Sequence, residues 1–375
     1  MDFDLSVLWE NVAELFANGG WKMAVMWIIG GLLIFLAIKK EMEPTLLLPM
    51  GFGAILVNLP NSGAAEVVDH LFEIGIGSYE LFPLILFIGI GAMIDFEPLL
   101  TNPKLMLFGA AAQFGIFFTL CASSLIGFDL KDAASIAIIG AADGPTSIFV
   151  ANKLGSTYTA AIMVAAYSYM ALVPVIQPPI IKLCTTKNER RIRMDYTGRK
   201  VSRLTKILFP IAVTIIVGLV APDAVALIGF LMFGNLIREC GVLNSLSDTA
   251  QKVLANLITI FLGITIASRM TANEFLQWQT LVIIGLGLVA FTFDTFAGVM
   301  LAKLMNLFSK KKINPMIGAA GISAFPMSAR VVHKLGLQED DQNFLLMHSI
   351  GVNVSGQIAS VIAGGLLLSF VQKLL

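Results

Sequence analysis

The sequence predicts an all-α polytopic membrane protein made of two inverted-topology repeats, each with five spans and a broken re-entrant hairpin. Composition is the first indication, because 57% of the 375 residues are hydrophobic, 13% are charged and the mean hydropathy is +0.84. The second is two charge-free stretches, 105–128 and 154–181, each longer than the roughly 20 residues that cross a bilayer as a helix. The third is a set of short segments that recur along the chain.

The recurring segments keep the same order and nearly the same spacing in the two halves, with offsets of 181, 174 and 178 residues. Three matches in one order indicate an internal repeat. The matched pairs are Phe52-Gly53 with Phe233-Gly234, Phe87-Ile88-Gly89 with Phe261-Leu262-Gly263, and Ile139-Gly140 with Ile317-Gly318.

We therefore divide the chain into an N-terminal interfacial segment (1–22), a first repeat (23–186), a basic cytoplasmic loop (187–205) and a second repeat (206–375). The apolar face of the interfacial segment is Leu5, Leu8, Trp9, Val12, Leu15 and Phe16. The hairpins are expected near 134–152 and 313–332. The expected spans are 23–38, 44–58, 81–95, 105–127 and 157–183, then 206–221, 225–238, 253–268, 279–301 and 343–372.

The charge distribution supports this topology. The segment from Lys187 to Lys206 holds eight basic and two acidic residues, so the positive-inside rule places it in the cytoplasm. Five crossings per half invert the second half, which puts Lys39, Lys104, Arg238 and Lys303 inside and the acidic 66–80 loop outside. Topology alone explains the basic loop, so it does not indicate nucleic-acid binding.

Asp143 is the first candidate for a site. It precedes the helix-breaking pair Gly144-Pro145 inside an apolar run, and an ionisable group at membrane depth is costly unless it faces a polar cavity. It is a candidate cation ligand, a candidate proton carrier or a structural carboxylate. A hard cation such as Na⁺ prefers oxygen ligands, and those expected nearby are Thr146, Ser147, Asn152 and Asn353.

The second hairpin carries no carboxylate but ends at Arg330, which binds an anion, favours the ionised form of Asp143 or snorkels to the interface. In the last span, Asn353, Gly356 and Ser360 share one helical face, with Gln357 beside it. That face either packs against other helices or lines a polar path.

Three further polar groups lie inside predicted spans. Tyr167 and Tyr169 are candidates for carrying protons or binding ions, or are hydrogen-bonded core residues. Asp294 is the rival to Asp143 as the functional carboxylate.

At these motifs the chain resembles the beta subunit of the biotin-dependent sodium-translocating decarboxylases, which act on oxaloacetate, methylmalonyl-CoA or glutaconyl-CoA. The similar segments are the run from Gly140 to Thr146, the hairpin from Asn314 to Arg330, and Asn353 to Gly356. The resemblance covers nearly the whole chain. It implies a subunit of the bacterial cytoplasmic membrane that decarboxylates carboxybiotin and exports Na⁺.

The resemblance also implies residue roles and partners. It implies catalytic roles for Asp143, Tyr167, Tyr169 and Arg330, carboxybiotin contacts from Asn314, Gly318, Ser323 and Arg330, and sodium ligands from Asp143, Asn353, Thr146 and Ser323. The implied partners are a biotin-carrier subunit, a carboxyltransferase alpha subunit, a small membrane anchor subunit and further copies of this chain. The chain resembles the shorter beta subunits of acyl-CoA decarboxylases more than the oxaloacetate form.

Two other classes of function remain open from the residues alone. A sodium-coupled secondary carboxylate transporter would use the same inverted repeats, with Arg330 binding its substrate. An ion channel or assembly scaffold would explain the polar face of the last span but not the paired broken hairpins.

Overall fold

A computed structural model describes residues 9, 12–16, 20–41, 44–77, 80–195 and 201–374, and within these residues the chain is helical, with no β-strand. Leu5 and Leu8 of the expected interfacial segment lie outside the described residues, as do Arg199 and Lys200 of the basic loop. The helices are α1 Gly20–Lys39, α2 Pro44–Val57, α3 Gly63–Phe72, α4 Leu81–Met93, α5 Glu97–Thr101, α6 Met106–Ala111, α7 Phe114–Ile126, α8 Leu130–Ala137, α9 Gly144–Leu154, α10 Thr159–Cys184, α11 Lys187–Arg190, α12 Arg203–Val220, α13 Val225–Glu239, α14 Asn244–Asp248, α15 Ala255–Ala267, α16 Ala272–Phe275, α17 Trp278–Phe308, α18 Met327–Glu339 and α19 Leu346–Leu374.

Seven helical segments in the described part of the chain are long and apolar enough to cross a membrane: Gly20–Lys39, Pro103–Ile126, Thr159–Cys184, Arg203–Val220, Asn244–Ala267, Trp278–Phe308 and Leu346–Leu374. An eighth span results if Gly63–Gly77 and Leu81–Met93 form one bent crossing. The prediction of an all-α polytopic membrane protein is confirmed, and the number of full-length spans is lower than the ten expected.

The shortfall comes from three short helices. The expected spans at 44–58, 81–95 and 225–238 are α-helices of 14, 13 and 15 residues, shorter than the roughly 20 residues that a straight crossing requires. Apolar composition identified these segments as helices, but it did not give their ends.

The expected acidic loop at 66–80 is wrong in its secondary structure. Ser62 caps α3 by accepting a hydrogen bond from the Ala64 amide, and the helix continues as a π-helix over Glu73–Gly77. Its acidic residues lie on the exposed side of an amphipathic helix that buries Val68 and Phe72.

Glycines allow four helices to approach closely. A Cβ on Gly53 of α2 would lie 2.5 Å from Ala267 Cβ in α15, and a Cβ on Gly234 of α13 would lie 2.0 Å from the Ile88 carbonyl oxygen in α4. Only a hydrogen fits at either position, so α2 packs against α15 and α13 against α4.

The described part of the basic loop is bound to the second half of the chain. Arg190 pairs with Glu339 at 2.6 Å, and Arg193 pairs with Asp340 at 2.7 Å. The hydrogen bond from Arg193 holds the pKa of the Asp340 carboxyl below its ordinary value. Asn314 and Asn343 both donate to the Arg190 carbonyl oxygen, at 2.9 and 2.8 Å. The loop therefore moves with the element that follows Asn314.

Candidate ion-binding site

The first broken hairpin, residues 130–154, consists of α8, a 3₁₀ turn over Ile138–Ala141 and α9. Its helical path ends at Ala142, whose φ of +51° is in the left-handed region. Asp143 then becomes the N-cap of α9 and accepts a hydrogen bond from the Thr146 amide. The break that Gly144 and Pro145 predicted is thus present, with the carboxylate at a helix N-terminus, where the dipole favours negative charge.

The second broken hairpin, residues 315–339, consists of a 3₁₀ helix over Pro315–Gly321 and α18. Its tip touches that of the first. Ser323 donates two hydrogen bonds to the Ala141 carbonyl oxygen, one from its amide at 3.0 Å and one from Oγ at 2.7 Å. The two chain breaks therefore meet directly at Ala141, two residues before Asp143.

The Asp143 side chain is surrounded by hydroxyl and amide groups. Oδ2 accepts hydrogen bonds from Thr146 Oγ1 at 2.8 Å, Ser360 Oγ at 3.0 Å and Gln357 Nε2 at 3.1 Å. The residue is only 3% exposed. A buried carboxylate with three polar partners and no cationic side chain bonded to it, within the described residues, is suited to exchange those donors for a cation.

Gln357 and Ser360 are members of this site that sequence reasoning did not assign. Both lie on α19, and both were noted only as part of its polar face. The signal was present in the spacing of Asn353, Gln357 and Ser360, which places all three on one helical face.

Asn353 lies next to the site but does not contact Asp143. Its Nδ2 donates to the Ile322 carbonyl oxygen at 2.7 Å, while its buried Oδ1 accepts no hydrogen bond from any residue the structure describes. Asn353 thus ties α19 to the tip of the second broken hairpin and leaves an amide oxygen available as a ligand.

Asp294 belongs to α17 and lies beside the first broken hairpin. It is fully buried, its Oδ1 accepts the Gly115 amide, and its Oδ2 has no hydrogen-bond partner among the described residues. A Cβ on Gly140 would lie 2.7 Å from Oδ2. The two rival carboxylates therefore flank the same hairpin, and Asp143 has the richer set of polar ligands.

The two tyrosines of α10 differ in their contacts. Tyr167 is fully buried, its ring would be 2.4 Å from a Cβ on Gly144, and its hydroxyl has no partner among the described residues. Tyr169 donates its hydroxyl to the Ile284 carbonyl oxygen of α17. Tyr167 is thus placed against the residue after Asp143, and Tyr169 joins α10 to α17.

Comparison with known proteins identifies the family. Residues 22–371 match the model of the Na⁺-transporting oxaloacetate decarboxylase beta subunit. The chain belongs to this family.

Relatives within the family have two named substrates. The chain is 46% identical to the oxaloacetate decarboxylase beta chain of Klebsiella pneumoniae, over 98% of this chain and 99% of the relative. It is 49% identical to the methylmalonyl-CoA decarboxylase beta subunits of Propionigenium modestum, over 92% and 94% of the two chains, and Veillonella parvula, over 93% of each. The chain is therefore a multi-pass beta subunit of a bacterial Na⁺-transporting decarboxylase in the cytoplasmic membrane. These comparisons do not support the secondary carboxylate transporter.

Two residues to which the resemblance gave carboxybiotin contacts have local roles in this decarboxylase subunit. Asn314 caps the 3₁₀ helix by accepting the Met316 amide at 3.1 Å and donates to the basic loop. Gly318 packs against α17, because a Cβ there would be 2.0 Å from the Gly298 carbonyl oxygen. Both residues fix the position of the second broken hairpin.

Arg330 occupies the first turn of α18 and is exposed. It lies seven residues after Ser323 at the tip of the second broken hairpin. A charged side chain needs an aqueous or protein environment within the membrane. Lys334, one turn farther along α18, is also exposed.

Proposed function

We propose that this beta subunit decarboxylates carboxybiotin, delivered by a biotin-carrier subunit, and couples the reaction to Na⁺ export through Asp143. The observation that carries the proposal is the buried Asp143 carboxylate, held between a broken helix and the polar face of α19. Moving one charge against 100 mV costs about 2.3 kcal/mol, so the ion needs a site that holds it tightly on one side and releases it on the other.

The ligands of the proposed sodium site come from the first broken hairpin and α19, with Ser323 of the second broken hairpin as a third source. Asp143 and Thr146 belong to the first broken hairpin, and Gln357 and Ser360 to α19. When Na⁺ enters, the hydroxyls turn their oxygens toward the ion and Gln357 presents Oε1 in place of Nε2, which are interchangeable by rotation of the amide. Ser323 and Asn353 now donate hydrogen bonds to the carbonyl oxygens of Ala141 and Ile322. They become ligands of the ion when the hairpin tips move and these hydrogen bonds break.

The proposed carboxybiotin approach runs along α18. Arg330 and Lys334 form a positively charged exposed strip from the end near Asp340 toward Ser323. Because a guanidinium binds a carboxylate through two parallel hydrogen bonds, Arg330 is the residue placed to hold the carboxylate of carboxybiotin near the hairpin tips.

Decarboxylation of free carboxybiotin by the purified subunit tests this role. Arg330→Ala is expected to lower kcat/KM at least about tenfold, because a charge-assisted contact of roughly 1.5–3 kcal/mol is lost. Lys334→Ala is the matched control and should change kcat/KM much less, since a point charge on the outer turn only attracts the anion. Equal losses in the two variants would contradict a specific contact at Arg330.

Decarboxylation of carboxybiotin consumes one proton, which replaces the carboxyl group on the biotin nitrogen. We propose that this proton passes through Tyr167. Tyr167→Phe should leave thermal stability unchanged, because the hydroxyl makes no hydrogen bond with the described residues, and should abolish or greatly slow Na⁺-stimulated decarboxylation. Tyr169→Phe should instead cost about 1 kcal/mol of stability, since it removes the hydrogen bond from the hydroxyl to the Ile284 carbonyl oxygen. Parallel melting curves and turnover assays check both; full turnover in Tyr167→Phe would exclude it as the carrier.

Alternating access is proposed to follow from two inverted repeats. Two pairs of matched positions support them. Gly53 of α2, in the first half, packs against α15 in the second half. Gly234, at the matching position in the second half, packs against α4 in the first half, and α4 is the helix that corresponds to α15. Gln177 of α10 donates to the Ala319 carbonyl of the second hairpin at 2.7 Å, while Gln357 of α19 donates to Asp143 of the first at 3.1 Å. Each half thus holds the other's hairpin, as a pseudo-two-fold axis requires.

We further propose that the complex acts on an acyl-CoA, methylmalonyl-CoA or glutaconyl-CoA, and contains a carboxyltransferase alpha subunit, a small membrane anchor subunit and more than one copy of this chain. The alignment with the Propionigenium modestum subunit is 371 positions long and covers 92% of this chain. The alignment with the Klebsiella pneumoniae chain covers 98% of this chain but is 431 positions long, which is more than the 375 residues of the chain. The oxaloacetate form therefore carries additional segments that this chain lacks.

A further inference from the structure

A cavity of about 540 Å³ opens where α9, α10, α16 and the π-helix meet. We call it the outer cavity; its lining includes Glu73, Asn152, Thr157, Met163, Arg269 and Glu274. It lies at the N-terminal end of α10, whereas the C-terminal end of that 26-residue helix joins the basic loop. A helix of this length spans about 39 Å, so the cavity and the basic loop are on opposite faces of the membrane.

The charges around the outer cavity favour a cation. Arg269 is paired with Glu73 at 3.2 Å and with Asp69 at 3.5 Å, and its guanidinium lies 4.1 Å from the Phe72 ring centroid. Glu274 adds another carboxylate to the lining. With three carboxylates near one guanidinium, the excess charge is negative, and a negatively charged concave surface concentrates cations.

The outer cavity approaches Asp143 along two helices. Asn152 is nine residues after Asp143, hence about 13 Å along α9. On α10, Met163 lines the cavity and Tyr167, one turn deeper, packs against Gly144. Met163 and Tyr167 are fully buried in one apolar cluster with Ile148 and with residues of α2 and α15. This cluster separates the cavity from the carboxylate.

We propose that the outer cavity is the vestibule through which Na⁺ leaves the protein, and that Met163 closes it from Asp143. The inference rests on the proposed sodium export. The hydrogen bond from Asn152 to the Ile76 carbonyl oxygen at 3.3 Å joins α9 to the π-helix across the same opening. Release requires α9 and α10 to move away from α2 and α15, which separates Met163 from its apolar contacts.

Cysteine labelling in the full-length protein tests the location and the charge without any decarboxylation assay. In a variant with Cys121, Cys184 and Cys240 replaced by serine, Ala160→Cys places a thiol in the cavity lining. Impermeant methanethiosulfonates should label it only from the face opposite to Lys187→Cys. Adding Glu274→Gln should lower the ratio of cationic to anionic reagent rates about 25-fold, since one nearby charge is worth roughly 1 kcal/mol to each reagent, with opposite sign for the two. Labelling from the same face as Lys187→Cys, or an unchanged ratio, would overturn the vestibule.

Passive ²²Na⁺ flux into proteoliposomes tests the closure. Without carboxybiotin, Met163→Ala should raise the flux above that of wild type, whereas the volume-conserving Met163→Leu should not. Equal flux in the two variants would overturn the role of Met163. If the wild-type protein showed no Na⁺-stimulated decarboxylation, the proposed function would be refuted. The labelling result does not depend on that activity.

Discussion

Asp143→Asn is expected to abolish Na⁺-stimulated decarboxylation of free carboxybiotin and to remove Na⁺-dependent thermal stabilisation of the purified subunit. The carboxylate is the negative charge at the centre of the proposed sodium site, and neutral hydroxyl and amide ligands alone do not balance a buried cation. Because a ligand stabilises the state that binds it, a melting curve with and without Na⁺ measures binding separately from turnover.

Asp132→Asn is the control for this prediction. Asp132 is 6% exposed at the base of the same hairpin, where it accepts hydrogen bonds from Ser156 Oγ at 2.6 Å and from the amide and hydroxyl of Thr157 at 2.9 and 2.8 Å. Its variant should melt at a lower temperature but keep the Na⁺-dependent shift. A Na⁺-dependent shift that survives in Asp143→Asn would contradict the assignment of the ion site.

Gly298→Ala is expected to destabilise the protein strongly, with a measurable fall in the melting temperature of the detergent-solubilised chain. A Cβ at this position would lie 2.1 Å from the Gly318 carbonyl oxygen, so α17 and the second broken hairpin would have to separate. Overpacking of a tight core costs about 1–3 kcal/mol, and contact with backbone leaves little room for relief. Because the hairpin position also shifts, decarboxylation should fall.

Gly285→Ala on the same helix provides the matched control. A Cβ on Gly285 would meet no atom within 4 Å, and alanine favours a helix interior over glycine. The melting temperature of this variant should stay the same or rise. If the two alanine variants melted alike, the close approach of Gly298 and Gly318 would not limit stability.

The sequence was sufficient to find the centre of the candidate site because one rare combination marks it. A carboxylate beside Gly144-Pro145 in an apolar run has few structural explanations, and the structure places Asp143 at the break. Gln357 and Ser360 were recognised only as members of a polar face, since the sequence of α19 gives a direction around the helix axis but not the element that it faces.

Helix ends were the least predictable part of the fold. Hydropathy identifies α2, α4 and α13 as apolar, but it does not give the points at which these helices end. The acidic residues of α3 predict a loop, whereas the helical spacing of Val68 and Phe72 matches the helix that the structure shows. The contacts that position Asn314 and Gly318 are long-range and have no local signal.

The double hydrogen bond between the hairpin tips has a consequence for the order of events. A carbonyl oxygen has two lone pairs, and Ser323 occupies both of those on Ala141 with its amide and its hydroxyl. A cation that coordinates this oxygen must displace at least one of them. Metal coordination by Ala141 and the intact pair of Ser323 hydrogen bonds are then mutually exclusive states, so an ion competes directly with the contact that joins the two hairpin tips.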